Sequence, residues 1–181
     1  GWAYYWLVNL FADDISNLSA PAVPIYTSAD QLEQPKSSTQ EVFNQALSDL
    51  LAAETLLEGY SRSNKIEMNQ DIVRGLLAYT YGAMNDWSKT EEYAQKVVTA
   101  GYPIMTANEV AVMGEGDNVG GFNDVNSHPG IIWGIDITAQ NELYSLGTWW
   151  GWMDYYSYSY AAVGNYKGMD ATLFSQMRAD D

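Results

Sequence analysis

Between positions 144 and 166 the sequence crowds its aromatic side chains into one stretch: Tyr144, Trp149, Trp150, Trp152, Tyr155, Tyr156, Tyr158, Tyr160 and Tyr166. Flat indole and phenol faces pack against the apolar side of pyranose rings, and nearby amides and carboxylates bond sugar hydroxyls. The candidate stacking platforms are Trp149, Trp150, Trp152, Tyr155 and Tyr156, with Asp154 and Asn141 as hydroxyl partners. Gly147, Gly151 and Gly164 interrupt the tract, so an irregular loop presenting rings is expected in place of a regular amphipathic helix. Any one Trp or Tyr belongs more often to a core than to a site. Burying so many indole and hydroxyl donors together would demand many partners, which favours exposure of the tract. Covering roughly 100 Å² of one ring at about 25 cal/mol/Å² is worth about 2.5 kcal/mol. Two rings, less the cost of association, leave an affinity around millimolar, which is enough for retention at a surface.

Other chemistries fare worse. Eight Lys and Arg stand against 23 Asp and Glu, for a net charge of −15, and no basic cluster exists to neutralise phosphates. Nucleic acid, anionic membranes and polyphosphate ligands are therefore disfavoured, whereas a neutral ligand meets no such penalty. Cysteine is absent, which removes disulfides, thiol nucleophiles and thiolate metal sites. The Gly114–Gly120 segment has glycines at the wrong spacing for a dinucleotide loop, and its acids would repel a pyrophosphate. Asp117, Asn118, Asp124 and Asn126 are oxygen donors of the kind calcium accepts, but their spacing does not match an EF-hand; a solvated loop over 114–126 is the expectation. His128, the single histidine, has no neighbouring zinc ligands and reads as a satisfied loop residue. Asp13-Asp14 and Glu91-Glu92 are adjacent, and adjacent helical residues do not face one another as paired hydrolytic carboxylates must. No catalytic residue, metal or cofactor is assigned.

The elements that would carry such a tract are mostly helical. Trp2 to Ala12 reads as a helix, with Trp2, Tyr5, Trp6, Asn9 and Leu10 at helical spacing. Pro21 and Pro24 then enforce an extended path. Ser38 or Thr39 caps a second helix to Leu57, with Val42, Ala46, Leu47, Leu50, Ala53 and Leu57 as its apolar stripe and Gly59 as its stop. A third helix follows Asn69 or Gln70 and carries Ile72, Val73, Leu76, Leu77, Tyr79 and Tyr81. A fourth starts near Trp87 with Tyr93, Ala94, Val97 and Val98. The short turn Met84-Asn85-Asp86 makes these two antiparallel neighbours, in the manner of one tetratricopeptide unit. Repeats bury their faces against stacked neighbours, so the rest of such a stack is expected outside these residues. Ile131 to Ile137 reads as extended, Trp133 within it as core, Trp87 as a wedge between the paired helices, and Trp2 and Trp6 as packed on a neighbouring helix. Asp170 to Met177 reads as one more helix. No apolar run approaches the ~20 residues needed to cross a bilayer. With no initiator Met before Gly1 and a helix just before Asp181, both ends are expected to be internal to a longer polypeptide.

The order of segments carries a resemblance. The Tyr-Tyr-x-Leu-Val-Asn-Leu-Phe helix (Tyr4 to Phe11) leads to Val23-Pro24-Ile25, then to Ser-Ser-Thr-x-Glu-Val-Phe with its Asp-Leu-x-x-Ala continuation (Ser37 to Ala53). After the Leu-Leu-Ala-Tyr-x-Tyr helix come Asp-Trp-x-Lys-x-x-x-Tyr-Ala (Asp86 to Ala94), Gly-Tyr-Pro-Ile and Ile-Ile-Trp-Gly-Ile. Across nearly the whole chain this series resembles the central portion of the SusD/RagB family. The turn between Phe11 and Val23 is longer than the compact, glycine-containing version usual there. The resemblance implies a mostly α fold of tetratricopeptide-like helical pairs, with an irregular aromatic-rich loop region and short extended segments. Residues 1–103 would form the helical part and 104–181 the loop-rich, ligand-facing part of one fragment. It further implies a non-enzymatic surface lipoprotein of the outer membrane, its N-terminal lipid anchor absent from these residues, that passes oligosaccharide to a SusC-like TonB-dependent transporter. The alternatives are a tetratricopeptide-type protein-interaction module, with the aromatics as an interface, and a glycoside hydrolase fragment.

Overall fold

The computed structural model describes residues 1–110, 124–135, 140 and 170–177. Four helices dominate: α1 Trp2–Phe11, α2 Thr39–Leu56, α3 Gln70–Ala83 and α4 Trp87–Thr99. Their bounds follow local chemistry. At α2, the Ser38 hydroxyl accepts from the Glu41 amide at 3.3 Å while the Glu41 carboxylate accepts from the Ser38 amide at 2.8 Å, a reciprocal cap. Asn69 caps α3 through the Ile72 amide, and Asp86 caps α4 through the Lys89 amide. The α3–α4 turn needs a left-handed residue, and Asn85, at φ 61°, supplies it. Gly59 and Gly101 follow α2 and α4 at φ 71° and 79°.

Two apolar clusters hold the helices. Leu50, Ile72, Val73, Leu76, Leu77 and Tyr93 join α2, α3 and α4. Val8, Ala22, Val42 and Phe43 join α1, α2 and the proline-flanked segment between them. The expected stripe of α2 is the buried one: Val42, Ala46 and Leu50 are inside, and Leu47, Ala53 and Leu57 pack against the first cluster. In α1 the expectation inverts. Its buried residue is Val8, flanked by partly buried Tyr4, while Trp2, Trp6 and Leu10 face outward. A helix apolar on every side offers no periodicity from which to choose a face.

The 12–38 segment is tied down by backbone bonds. Pro21 and Ser38 form an isolated antiparallel bridge, Ala22 N–H donates to Ser37 O at 2.8 Å, and Thr39, fully buried, donates its hydroxyl to Ala20 O at 3.0 Å. The long turn after α1 is built on Asp14, whose carboxylate accepts from the Ser16 amide and hydroxyl, and on Asn17, which accepts from the Ser19 amide.

Across the first cluster runs a polar staple. Glu54 of α2 accepts from Arg74 of α3 at 3.0 Å and from the Tyr93 hydroxyl of α4 at 3.4 Å, and lies 3.7 Å from Lys96. Lys96 also sits 4.0 Å from the centre of the Tyr93 ring, which stacks on Tyr81 at 5.6 Å. Among the described residues, no buried side-chain nitrogen or oxygen lacks a partner.

Gly1–Gly134 form one compact unit and Ile135–Asp181 a second. Of the second, the described part is chiefly the short helix Ala171–Ser175, capped by Asp170 through the Thr172 and Leu173 amides. No described helix is long and apolar enough to cross a membrane.

Candidate functional site

Residues 124–134, which precede the aromatic tract in sequence, form a strap buckled to the loop between α2 and α3. Glu67 organises that loop: its carboxylate accepts from the Ser63 hydroxyl at 2.6 Å, the Tyr60 hydroxyl at 2.7 Å and the Ser63 amide at 3.1 Å. These bonds, those from Ser63 foremost, hold the carboxyl below the usual range. Lys65 then grips the strap three times. Its amide donates to Asn126 at 3.4 Å, its ammonium to the His128 carbonyl, and its own carbonyl accepts from Gly134 N–H at 3.3 Å. Trp133 adds a fourth bond, from its indole N–H to Ile66 O at 3.1 Å. Gly130 is required by closeness, since a Cβ there would collide with the Pro103 carbonyl.

His128 is the satisfied loop histidine the sequence suggests. Its Nδ1 accepts from Gly130 N–H at 2.9 Å, and Nε2 lies 3.2 Å from Glu109. Residues 131–135 run without a strand partner, as an extended segment rather than a ladder, and residues 136–137 lie outside the described residues.

Trp133 occupies the edge of the core, not its centre. It packs against the first cluster and meets Trp2 edge-on at 5.8 Å. Beside that pair, Tyr5 contacts Trp6 at 5.4 Å and Tyr79 at 6.4 Å. Burial, with Tyr79 second, raises the Tyr5 phenol above its ordinary range. Trp6 and Tyr79 remain 47% and 67% exposed, so α1 and α3 present an aromatic surface that the sequence reading assigned to helix packing. Trp87 is no wedge: it begins α4 at 65% exposure. Position explains this, because the first turn of a helix that follows a tight turn points past its partner.

A groove of about 670 Å³ opens between α3, α4 and the strap. Leu76, Tyr79, Ala94, Val98, Ile132 and Trp133 are among its walls, and Asp71 lies at its edge, where it accepts from the Tyr102 hydroxyl at 2.9 Å and Arg74 at 3.2 Å. Of the four α4 residues expected on one apolar face, Tyr93 alone is buried, whereas Ala94, Val97 and Val98 line this groove. The signal was present in the sequence: Tyr93-Ala94 and Val97-Val98 are two adjacent pairs, enough for two stripes.

Asn141, Trp149, Trp150, Trp152, Asp154, Tyr155 and Tyr156 lie outside the described residues, as do Asp117 and Asn118 of the 114–126 loop. Asp124 and Asn126 are engaged locally, Asp124 accepting from the Asn126 amide at 2.8 Å. Among the described residues no cluster of three or more His, Cys, Asp or Glu side chains could hold a metal ion. Of the adjacent acid pairs, Asp13 bonds Lys36 at 3.0 Å and Asp14 caps its turn, so each has a structural task.

No protein-family profile and no curated protein matches the sequence. Among solved structures, the chain is similar to a SusD-like carbohydrate binding protein from Bacteroides vulgatus ATCC 8482, with a TM-score of 0.65 and 28% sequence identity. The likeness covers 75% of this chain and 28% of that protein's length. The resemblance read from the order of segments is therefore met in three dimensions, in the likeness to a SusD-like carbohydrate binding protein, and the described part of the chain is mostly helical.

Proposed function

We propose that this SusD-like chain is part of a surface protein that captures oligosaccharide and passes it, without covalent chemistry, to a TonB-dependent transporter of the SusC type. The observation that carries the reading is the likeness to a protein described as carbohydrate binding, at 28% identity over three quarters of the chain. Anchorage to the outer membrane through an N-terminal lipid, and the transfer step itself, come from the family resemblance.

Capture would use the aromatic tract. Trp149, Trp150, Trp152, Tyr155 and Tyr156 are proposed to stack on sugar rings, with Asp154 and Asn141 bonding hydroxyls. Two features of the chain suit that role. A charge of −15 does not penalise a neutral guest. Trp and Tyr outnumber Phe by 21 to 4, the sum of 7 Trp and 14 Tyr against 4 Phe, which favours rings with a polar edge. The strap that precedes the tract in sequence is fixed by four bonds to the Lys65–Ile66 stretch.

The test is retention in glycan affinity gels. Replacing Trp149, Trp150 and Trp152 together by Ala, with helicity verified by circular dichroism, should lower retention by tenfold or more, because each lost ring removes about 2 kcal/mol of contact. Unchanged retention of the folded variant would remove the tract from the site. New reducing ends after incubation with the retained glycan would replace capture by hydrolysis.

A further inference from the structure

We infer that His128 is an acid-sensitive latch: its neutral imidazole closes a turn in the strap, and protonation of the ring opens that turn. The inference does not depend on glycan capture.

The turn spans 128–131. The Ile131 amide donates to the His128 carbonyl at 3.1 Å, with Pro129 and Gly130 between them. Inside it the Gly130 amide donates to His128 Nδ1 at 2.9 Å, so the side chain of the first residue holds the amide two positions on. Asp, Asn and Ser are the usual residues at that first position, and their oxygens go on accepting throughout the neutral range. Here the acceptor is an imidazole nitrogen, and imidazole ordinarily takes up a proton between pH 5 and 8. His128 is the single histidine of the sequence.

The contacts decide which form of the ring fits. An amide can only donate, so Nδ1 must be bare, and the one ring proton sits on Nε2, 3.2 Å from the Glu109 carboxylate. A second proton on Nδ1 would set one N–H against another. The turn has little room to yield. The His128 side chain is 16% exposed, and Gly130 is wedged between the ring and the Pro103 carbonyl, with no space for a Cβ.

The surrounding charges act in both directions. Glu109, on the short helix Ala107–Val110, favours a charged ring, and bonds from Thr106 foremost hold its carboxyl below the ordinary range, so it is ionised throughout. Its side chain is 46% exposed, however, and solvent weakens that attraction. Lys65, on the α2–α3 loop, works against a charged ring, because its ammonium donates to the carbonyl of His128 itself. Arg62 and Asp124 act on Lys65 with opposite signs. The closed turn therefore excludes a proton that the open turn accepts. Closure is complete above the ordinary imidazole range and is lost as pH falls through it. Because Lys65 and Ile131 both donate to the His128 carbonyl, opening the turn also loosens the grip on the strap.

Hydrogen exchange tests this in the intact protein, read by mass spectrometry on peptides across 124–135 at pH 5 and pH 7.5 and corrected for the intrinsic pH dependence of exchange. Protection should fall by about fivefold or more at the lower pH. His128→Asn, whose side-chain oxygen can accept from the same amide without titrating, should stay closed at both. Glu109→Gln removes the carboxylate that favours the charged ring, so the strap should open at a higher pH than in the native protein. The midpoint of opening must coincide with the titration of the His128 ring, followed by its ring-proton resonances. Unchanged protection in the native protein overturns the inference. So does protection that rises toward pH 5, which would make the Glu109 ion pair the controlling contact. An equal fall in His128→Asn would assign the response to another group, and a midpoint apart from the ring's titration would do the same; either overturns the latch.

Discussion

Tyr93 lets the α2–α3–α4 staple be tested by pH alone. Burial first, and then the neighbouring Glu54 charge, push its phenol from 10.0 up to about 12. A phenol whose folded-state pKa stands above its unfolded value keeps its proton longer in the native state. The stability this represents is complete below pH 10 and is lost as pH rises through 12. A rise of that size corresponds to about 2.7 kcal/mol, and solvent screening reduces it to about 1–2 kcal/mol. The comparison variant is Tyr93→Phe, which keeps the ring, its stack on Tyr81 and its contact with Lys96 while removing the titrating group. At pH 8 the variant should be less stable by about 0.5 kcal/mol, since the lost hydroxyl bond to Glu54 is long at 3.4 Å. Between pH 9 and 11.5, urea unfolding should show the native protein losing stability faster than the variant, so that the two curves close and cross. Taking the difference cancels every other tyrosine and lysine that titrates in the same range. Parallel curves across that range would refute the claim that Tyr93 is held protonated by burial and Glu54.

Two further substitutions probe the fold. Phe43 is fully buried between α1, α2 and the proline-flanked segment, so Phe43→Ala should cost about 3–5 kcal/mol in urea denaturation; a loss below about 1 kcal/mol would mean that α1 is not docked there. Asn85 turns α3 into α4 at φ 61°, and Asn85→Gly should be neutral or slightly stabilising in thermal melts while Asn85→Val costs about 1–2 kcal/mol; equal effects would place the turn in another conformation.

How far the sequence could be read depended on how many faces each helix offers. In α2 polar residues alternate with a single apolar stripe, and Val42, Ala46 and Leu50 are the residues found inside. The reciprocal Ser38–Glu41 cap, the Asn69 and Asp86 caps and Asn85 are local chemistry, visible within a few residues, and they fix boundaries without knowledge of the rest. In α1, where nine of ten residues from Trp2 to Phe11 are apolar, burial is decided by what packs on it, and the proline-flanked segment chose Tyr4 and Val8. That choice is a tertiary fact. Trp87 failed for a related reason: residue type says that an indole prefers cover, but at the first position of α4 it remains 65% exposed.

The strap shows the same division. That His128 is a loop residue follows from its lack of neighbouring ligands, but its bonds to Gly130 and Glu109 come from chain segments that only the fold brings together. The grip of Lys65 on the strap is less legible still, because it spans more than 60 positions and uses the backbone as much as the side chain. That grip ties the strap to the α2–α3 loop at both of its ends, near Asn126 and at Gly134. The α2–α3 loop behind that grip is itself held by short bonds from the Ser63 and Tyr60 hydroxyls to the charged Glu67 carboxylate, the stronger for that charge.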